Sequence, residues 1–367
     1  MKYLIINEVA GNGSTGKIAA DICRKYIAEG NEAVLAYGRS EAVNCNDIIT
    51  YRISTNLSVI IDALKTRFFD NAGFNSKLTT RKFLKWCDDY NPDVVWLHNL
   101  HGYYINVELL FDWVKKHPEK EYKWTLHDCW AFTGHCAYFS FVKCNKWKTG
   151  CHNCPQFKSY PKSIFRDNSQ NNYKNKSILF TGVSKLKLIT PSQWLADLVK
   201  ESFIKEYQVE VIRNIINKDI FKPTKSDFRK KYCLESKKLI LGVASVWEER
   251  KGLKDFLTLS NMLDNKYKIV LVGLNNKQIK FVNKNFPDIL ALPRTNSAEA
   301  LAAIYTAADI FLNLTYEDNY PTTNLEAHAC GTRCVTYRTG GSIESVNDED
   351  IVEPGDFVTL NQIIKSI

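Results

Sequence analysis

The feature that most constrains the fold of this chain is an alternation of short apolar segments with longer helical ones. In the first half of the sequence the apolar segments are YLIINEV (3–9), EAVLAYG (32–38), VVWLHN (94–99), YKWTLHD (122–128), LKLIT (186–190) and VEVIRN (209–214). A helical stretch, 17–29, follows the first of them. Short apolar strands that alternate with helices are typical of a parallel α/β sheet. We therefore predict such a sheet in this half.

The same pattern starts again in the second half, with LILGVAS (239–245), KIVLVG (268–273), ILALPR (289–294), DIFLNLT (309–315) and RCVTYR (333–338). Between the halves, residues 214–238 are polar and charged and contain Pro223, which predicts a linker. The chain is thus predicted to be an α/β protein of two facing Rossmann-like doubly wound domains, residues 1–214 and 215–367. Ligands of such sheets bind at the carboxyl ends of the strands, so we expect the active site in the cleft between the domains.

Length and charge agree with this organisation. A chain of 367 residues is long for a single core. Lysine and arginine exceed the acidic residues by 49 − 40 = 9, a balance that suits an anionic partner. No apolar run approaches the roughly 20 residues that cross a bilayer, and the opening MKYLIINE is too short for a secretory signal. We therefore expect a cytoplasmic protein.

A glycine-rich turn, GNGSTG (11–16), follows the first predicted strand and opens a helix. Small residues before a helix N-terminus are suited to phosphate, and the candidate contacts are Gly13, Ser14, Thr15 and Gly16. The motif departs from a P-loop, because Ile18 stands where a Mg²⁺-binding hydroxyl belongs. Arg39, after the second strand, would suit the 2′-phosphate of NADP. A tight strand-to-helix turn without a ligand remains an equal alternative.

A cysteine-rich loop spans residues 129–157. Four of its cysteines are close in sequence, and the last two form a C-x2-C pair: Cys136, Cys144, Cys151 and Cys154. Four thiolates suit a tetrahedral structural zinc, which would leave no open position for catalysis. Cys129 is an alternative ligand. Free thiols or local disulfides are the other interpretations.

The stretch EDNYPTTNLEAHACGT (317–332) carries acids around the start of a predicted helix. Asp318 and Glu326 are separated by seven residues and are followed by a glycine and an apolar strand. In this respect the segment 309–341 resembles the donor-sugar motif of glycosyltransferase family 4, whose members have the GT-B fold. Other stretches, among them WLHNLHGYYIN, WTLHDCWAFTGHC and VWEERKGLKDFL, are similar to the colanic-acid-type exopolysaccharide transferases.

The resemblance implies a role for each matching residue of the second domain. Glu326 would accept hydrogen bonds from the ribose and Asp318 from the transferred sugar. The helix N-terminus would face the diphosphate, with Thr322, Thr323 and Asn324 in the donor site. Lys251 matches the family's phosphate-binding lysine, whereas Ser245 replaces its partner arginine. Arg250 is the residue expected to compensate for that replacement.

In the first domain, the resemblance places His127 beside the anomeric carbon. Lys251 and Asp318 complete the predicted catalytic set. His98 and His101, which end the neighbouring strand, would face the acceptor, although loop-holding roles for these two histidines are equally compatible with the sequence. The first domain is thus expected to bind the acceptor and the second the nucleotide sugar.

The activity that the resemblance implies is retaining, metal-independent transfer from a nucleotide diphosphate sugar to a glycan or polyprenyl-linked acceptor, in exopolysaccharide or surface polysaccharide synthesis. No cofactor is expected for catalysis. One alternative is an NADP-dependent oxidoreductase, which would leave Asp318 and Glu326 unexplained. A second is a zinc-containing nucleic-acid-binding protein, but the basic residues are spread along both halves, so we expect no nucleic acid as partner.

Residues 60–86 mix six basic residues with phenylalanine, leucine and tryptophan. Such a surface can bind anionic lipid, and a lipid-linked acceptor would require the protein to reach the membrane. This predicts peripheral attachment to the inner face of the membrane. The alternative is a solvated helix face over the first domain's core.

Overall fold

The computed structural model describes residues 1–367 and divides the chain into two compact units, Met1–Arg213 and Asn214–Ile367. Each unit is built around one parallel sheet that is flanked by helices. The α/β fold class predicted from the sequence is therefore confirmed. No helix combines the length and the apolar character needed to cross a membrane.

The first domain contains seven strands, all parallel to their neighbours, in the spatial order β3-β2-β1-β4-β5-β6-β7. They are β1 (Lys2–Asn7), β2 (Glu32–Tyr37), β3 (Ile49–Arg52), β4 (Val94–Leu97), β5 (Glu121–Thr125), β6 (Leu186–Thr190) and β7 (Val209–Val211). Its helices are α1 (Gly13–Ala28), α2 (Asn56–Phe69), α3 (Lys77–Tyr90), α4 (Val107–Lys116), α5 (Ser169–Leu179) and α6 (Gln193–Lys200).

The central strands read as continuous apolar runs because both faces of the sheet are covered. In β1, Leu4 and Ile6 pack into one buried cluster, and Ile5 packs into another on the opposite face. All four residues of β4 are buried. The position of β1 and β4 at the centre places the loops that follow them side by side at one edge of the sheet.

The second domain has six parallel strands in the order β10-β9-β8-β11-β12-β13. They are β8 (Lys238–Val243), β9 (Tyr267–Val272), β10 (Ile289–Leu292), β11 (Ile310–Asn313), β12 (Arg333–Tyr337) and β13 (Ile351–Val352). The helices are α7 (Phe228–Lys231), α8 (Leu253–Ser260), α9 (Asn276–Asn285), α10 (Ala298–Ala307), α11 (Thr322–Ala329) and α12 (Phe357–Lys365).

The segment expected to be a linker, 214–238, is packed as part of the second domain. Phe221, Phe228 and Leu234 are buried in one of that domain's apolar clusters, and the segment includes α7. These apolar residues anchor the segment, and Arg229 adds an ion pair to Asp309 at 2.6 Å, whereas most of the other charged side chains are exposed. Strands β3 and β13 were not predicted.

Candidate active site

In the second domain, the candidate site is built on the loops that follow β8, β11 and β12. Backbone hydrogen bonds join these loops: the N–H of Tyr316 donates to the carbonyl of Arg250 at 2.8 Å, and the N–H of Gly341 donates to the carbonyl of Asp318 at 3.0 Å. The carboxyl ends of neighbouring parallel strands meet at one edge, which is where ligands of this fold class bind.

Two glycines allow the loops to approach this closely. Gly252 has φ +72°, and a Cβ there would lie 2.0 Å from the carbonyl oxygen of Leu314. Gly340 has φ +54°, and a Cβ there would lie 2.2 Å from the carbonyl oxygen of Asp318. A side chain at either position would clash with backbone, so this close approach of the loops requires glycine.

Lys251 and Asp318 form an ion pair, with Nζ 2.5 Å from Oδ2. The other carboxylate oxygen of Asp318 accepts from the N–H of Asn319 at 2.9 Å. Burial lowers the pKa of Lys251, and the charge of Asp318 only partly offsets this. Burial also tends to raise the pKa of Asp318, but the charges of Lys251 and Arg250 outweigh it and leave that pKa lowered. The structure therefore brings two of the predicted residues into direct contact.

Arg250 lies in the same turn as Lys251 and donates from Nη1 to the carbonyl of Glu317. The Glu317 side chain itself is fully buried, unlike the half-buried Asp318. Ser245 is exposed. Arg250 and Lys251 thus supply two cations beside the acid of the motif.

Helix α11 begins at Thr322, after Pro321, and leaves Thr322 and Thr323 half-buried at its N-terminus. Glu326, one turn further, is half-buried and accepts a hydrogen bond at 3.2 Å from the hydroxyl of Tyr305 on α10. Burial and the neighbouring Glu326 raise the pKa of Tyr305 well above its usual value, so the phenol remains a hydrogen-bond donor.

Asn324 differs from its neighbours because it is fully buried. Its Oδ1 accepts from Asn313 Nδ2 at 2.7 Å, and its Nδ2 donates to Ser345 Oγ at 2.9 Å. Both ends of the amide are thus used inside the domain, an arrangement that ties α11 to β11 and to the loop after β12.

In the first domain, the glycine-rich turn straddles the start of α1. A Cβ at Gly11, where φ is +65°, would lie 1.8 Å from the carbonyl oxygen of Val43, and the N–H of Gly11 donates to the carbonyl of Gly16 at 3.0 Å. Gly11 and Gly16 therefore have a packing role. Gly13 and Ser14 are exposed and Thr15 is half-buried at the helix N-terminus. Arg39 pairs with Glu8 at 2.8 Å.

His98 and His127 follow β4 and β5 and face each other, with Nδ1 of His98 2.9 Å from Nε2 of His127. Burial lowers the pKa of His127 to about 4 and that of His98 well below its usual value. Both rings are thus neutral near pH 7. Nε2 of His98 is buried without a hydrogen-bond partner, so the one hydrogen bond of this ring is to His127, and the ring also stacks on Trp96.

His101 is buried and bonded at both ring nitrogens. Nε2 lies 2.9 Å from Oδ2 of Asp128, and Nδ1 lies 3.1 Å from the hydroxyl of Tyr160. The charge of His101 helps to keep the pKa of Asp128 lowered although burial tends to raise it. Asp128 and Tyr160 were not among the predicted site residues. An acid directly after His127 at a strand end was the one signal that could have indicated Asp128.

The predicted zinc cysteines come together in the structure. Cys136, Cys144, Cys151 and Cys154 line one small pocket, with Cys136 buried and the others half-buried. None of the eleven cysteines of the chain forms a disulfide. A hydrogen bond from Cys136, with further help from His135, lowers the pKa of Cys154 to about 7 although burial opposes this. No group of three or more His, Cys, Asp or Glu side chains is arranged as a ready metal-ligand set.

Two buried charged residues brace this loop. His135 Nδ1 contacts Asp70 Oδ1, and burial tends to lower the pKa of His135, but the hydrogen bond and charge of Asp70 leave it raised. Lys176 on α5 is 1% exposed and donates to the carbonyls of Trp130 at 2.8 Å and Thr133 at 3.1 Å. These contacts fix the start of the loop, residues 130–135, and its regular structure is limited to three short 3-10 helices.

Comparison with known proteins places this geometry in a family. Residues 224–367 match the family model described as glycosyl transferases group 1. HepE of Anabaena, whose structure was solved in complex with UDP, matches with a TM-score of 0.68 at 14% identity, over 100% of this chain and 89% of that one. That likeness shows a shared fold. The fold is therefore that of the GT-B glycosyltransferases, as the sequence predicted. The similarity to group 1 covers residues 224–367, which lie in the second domain.

Two curated relatives are similar to parts of the chain. The chain is 30% identical over 213 residues to WcaC of Escherichia coli, which is named as a colanic acid biosynthesis glycosyl transferase. The aligned region covers 54% of this chain and 50% of the relative. It is 27% identical over 161 residues to the N,N'-diacetylbacillosaminyl-diphospho-undecaprenol alpha-1,3-N-acetylgalactosaminyltransferase of Campylobacter jejuni, over 42% of each chain. The chain thus matches about half the length of these relatives. Neither the oxidoreductase nor the nucleic-acid-binding alternative receives support.

Proposed function

We propose that the protein transfers a sugar from a nucleotide diphosphate sugar to a glycan or lipid-linked acceptor, with retention of configuration at the anomeric carbon. The observation that carries the proposal is the Lys251–Asp318 ion pair at the carboxyl ends of β8 and β11. Glu326 stands one turn into the following helix α11, in the domain that matches group 1.

The diphosphate is the group that this site is best suited to bind. Arg250 and Lys251 provide fixed positive charge, and the first N–H groups of α11, at Thr322 and Thr323, have no partner within their own helix. As the bond to the sugar breaks, negative charge grows on the diphosphate. Cations and N–H groups already in position stabilise that charge without reorganisation, so the proposed mechanism requires no cofactor.

The two carboxylates would bind the remaining parts of the donor, Glu326 the ribose and Asp318 the sugar. Glu326, already an acceptor for Tyr305, has a second oxygen suited to a ribose hydroxyl. Asp318 holds Lys251 in the absence of donor. When a diphosphate engages the Lys251 ammonium, the Asp318 carboxylate is released to accept from the hydroxyls of the sugar.

The first domain would supply the acceptor side. His127 acts on the transferred sugar as a neutral imidazole, and its partner His98 fixes the orientation of the ring. His98 and His101 are the residues proposed to lie along the acceptor. The exposed residues of the glycine-rich turn, Gly13 and Ser14, together with Thr15, remain proposed donor contacts.

The names of the relatives support the class of acceptor. One refers to colanic acid biosynthesis, and the other to a diphospho-undecaprenol substrate. A glycan or polyprenyl-linked acceptor in exopolysaccharide or surface polysaccharide synthesis agrees with both. Such an acceptor would bring the protein to the cytoplasmic face of a membrane.

We also propose that the cysteine loop holds a structural zinc ion. Support comes from the four cysteines that line one pocket and from the thiol of Cys154, whose lowered pKa favours the thiolate that zinc requires. Binding would need the sulfur atoms to draw closer together than they are in the structure.

The donor proposal is tested by thermal unfolding of the protein with UDP-, GDP-, ADP- and CMP-sugars. A ligand that binds the folded state at 100 times its Kd adds about 2.7 kcal/mol of stability. One nucleotide is expected to raise Tm, and Lys251→Ala and Glu326→Ala should abolish most of the rise. Lys254→Ala, on an exposed neighbour of Lys251, is the control. No rise with any nucleotide, or an undiminished rise in both variants, would overturn the proposal.

A further inference from the structure

Helix α2 shows the reverse of the usual burial pattern for a surface helix. Its fully buried residues are polar, Asp62 and Thr66. Its exposed face is apolar, with Leu57 67% exposed, Leu64 47% and Phe68 48%. We call this set the α2 apolar face: Leu57, Ile60, Ile61, Leu64 and Phe68. These positions recur at helical spacing, so they form a continuous stripe rather than scattered residues.

The helix cannot turn this stripe inward. Asp62 Oδ2 accepts from the hydroxyl of Ser76 at 2.6 Å, and Oδ1 accepts from Asn75 at 3.1 Å and from Thr66 at 3.3 Å. A rotation of α2 would break these hydrogen bonds and leave the groups of Ser76 and Asn75 without their acceptor, which is costly. The hydrogen bonds of the buried Asp62 therefore keep the opposite side of the helix, the α2 apolar face, directed towards solvent.

A second segment extends the surface. The N–H of Ile164 donates to the carbonyl of Arg67 at 2.8 Å, and the ring of Phe165 stacks on that of Phe68 with centroids 5.2 Å apart. Phe165 is 71% exposed. The segment thus adds two more large apolar side chains to the end of α2.

The charges at the surface around this face have one dominant sign. Lys65 and Arg67 are exposed on α2, and Arg166 is exposed on the added segment, where it is followed by one exposed acid, Asp167. Both acids at this helix, Asp62 within it and Asp70 at its C-cap, are buried. Exposed cations beside apolar side chains favour a partner that combines negative charge with hydrocarbon.

We propose that α2 and residues 164–166 form a surface that docks on an anionic lipid bilayer, with α2 in the plane of the headgroups. A bilayer supplies hydrocarbon for the apolar face and lipid phosphates for Lys65, Arg67 and Arg166. An exposed apolar patch of this size is uncommon on a monomeric protein and marks a site of interaction.

The test is sedimentation of the full-length protein with vesicles of phosphatidylcholine alone or mixed with phosphatidylglycerol, at low salt. Binding to the anionic vesicles and about tenfold less to the neutral ones is expected. Leu64→Ser with Phe68→Ser should lower the binding at least about tenfold, and so should Lys65→Glu with Arg67→Glu. Phe281→Ser, on an exposed residue of α9, is the matched control and should bind like the parent.

Several outcomes would overturn the inference. These are absence of binding to anionic vesicles, equal binding to both kinds of vesicle, or binding that both double variants retain. A concentration-dependent dimer that Leu64→Ser with Phe68→Ser abolishes, without vesicle binding, would assign the surface to a second copy of the chain instead. Unchanged Tm in the variants verifies that they are folded. The measurement involves no sugar transfer, so its failure would leave the donor-site proposal standing.

Discussion

Lys251 and Asp318 are 67 residues apart in the chain, and yet their charged groups lie 2.5 Å from each other. They belong to two loops whose close approach requires glycine. The pair couples the cation proposed for the diphosphate to the acid proposed for the sugar. Each residue therefore sets the charge state of the other, and a change in one should be measurable through the other.

Asp318→Ala should make the binding of nucleotide diphosphate more sensitive to pH. Burial already lowers the pKa of Lys251, and loss of the neighbouring negative charge lowers it further. The ammonium form of Lys251 is the form that binds the diphosphate. As pH is raised, the variant should therefore lose affinity for the nucleotide diphosphate at a lower pH than the parent does. At acidic pH its affinity should equal or exceed that of the parent, since a competing anion is gone. Calorimetric titration at a series of pH values, from acidic to alkaline, measures this. An exposed acid, Asp288, replaced by alanine, is the control; parallel curves for Asp318→Ala and the parent would refute the coupling.

His127→Ala should lower the rate of sugar transfer by roughly 10²–10³ and leave the Kd for nucleotide diphosphate unchanged. Since the pKa of His127 is lowered to about 4, the parent's kcat should show no ionisation of this residue between pH 6 and 7. Initial rates and calorimetry on the same preparations provide the comparison, with His117→Ala as the control. A variant that transfers normally would leave His127 a structural residue only.

Asp70→Asn should destabilise the first domain by about 3–5 kcal/mol, the usual result of removing one partner from a buried ion pair. The left-handed backbone at this position, φ 51°, accommodates asparagine, so the change isolates the lost charge. Denaturant unfolding at pH 7 gives the free energy. His152→Ala, on an exposed histidine of the same loop, should change it by less than about 0.5 kcal/mol. A small effect of Asp70→Asn would mean that His135 is held by packing alone.

The cysteine loop should contain about one zinc ion per chain in protein purified without chelator. Cys136→Ser and Cys154→Ser should each lose most of the metal, whereas Cys233→Ser, on an exposed cysteine elsewhere, should keep it. Elemental analysis measures the metal, and thiol titration of the folded protein provides an independent count of reactive sulfur. Metal-free protein whose loop thiols all react freely would reject the site.

The strands of both sheets could be predicted because central parallel strands are apolar on both faces, and each of the predicted segments overlaps an observed strand. Strand β3, ITYR, is short, half-buried and at the sheet edge, so it has no continuous apolar run. Strand β13 has only two residues. The expected linker was charged overall, and the few buried side chains that anchor it could not be recognised without their partners.

The candidate site was predictable where its residues are close in sequence. Asp318 and Glu326 lie within one short segment, and its resemblance to the donor-sugar motif indicated them as candidates. The Lys251–Asp318 contact was not predictable, because it depends on the pairing of β8 with β11. His101 likewise contacts Asp128 and Tyr160, which lie 27 and 59 residues away along the chain. No local sequence pattern indicates contacts between residues so far apart.

Lys176 has a consequence for how the chain is made. The carbonyls of Trp130 and Thr133 accept hydrogen bonds from an amine that is synthesised 46 and 43 residues after them. During translation at about 5–20 residues per second, the loop therefore leaves the ribosome seconds before its brace exists. Throughout that interval its thiols are more accessible to the metals and oxidants of the compartment than they are in the folded domain, where Cys136 is buried and Cys144, Cys151 and Cys154 are half-buried.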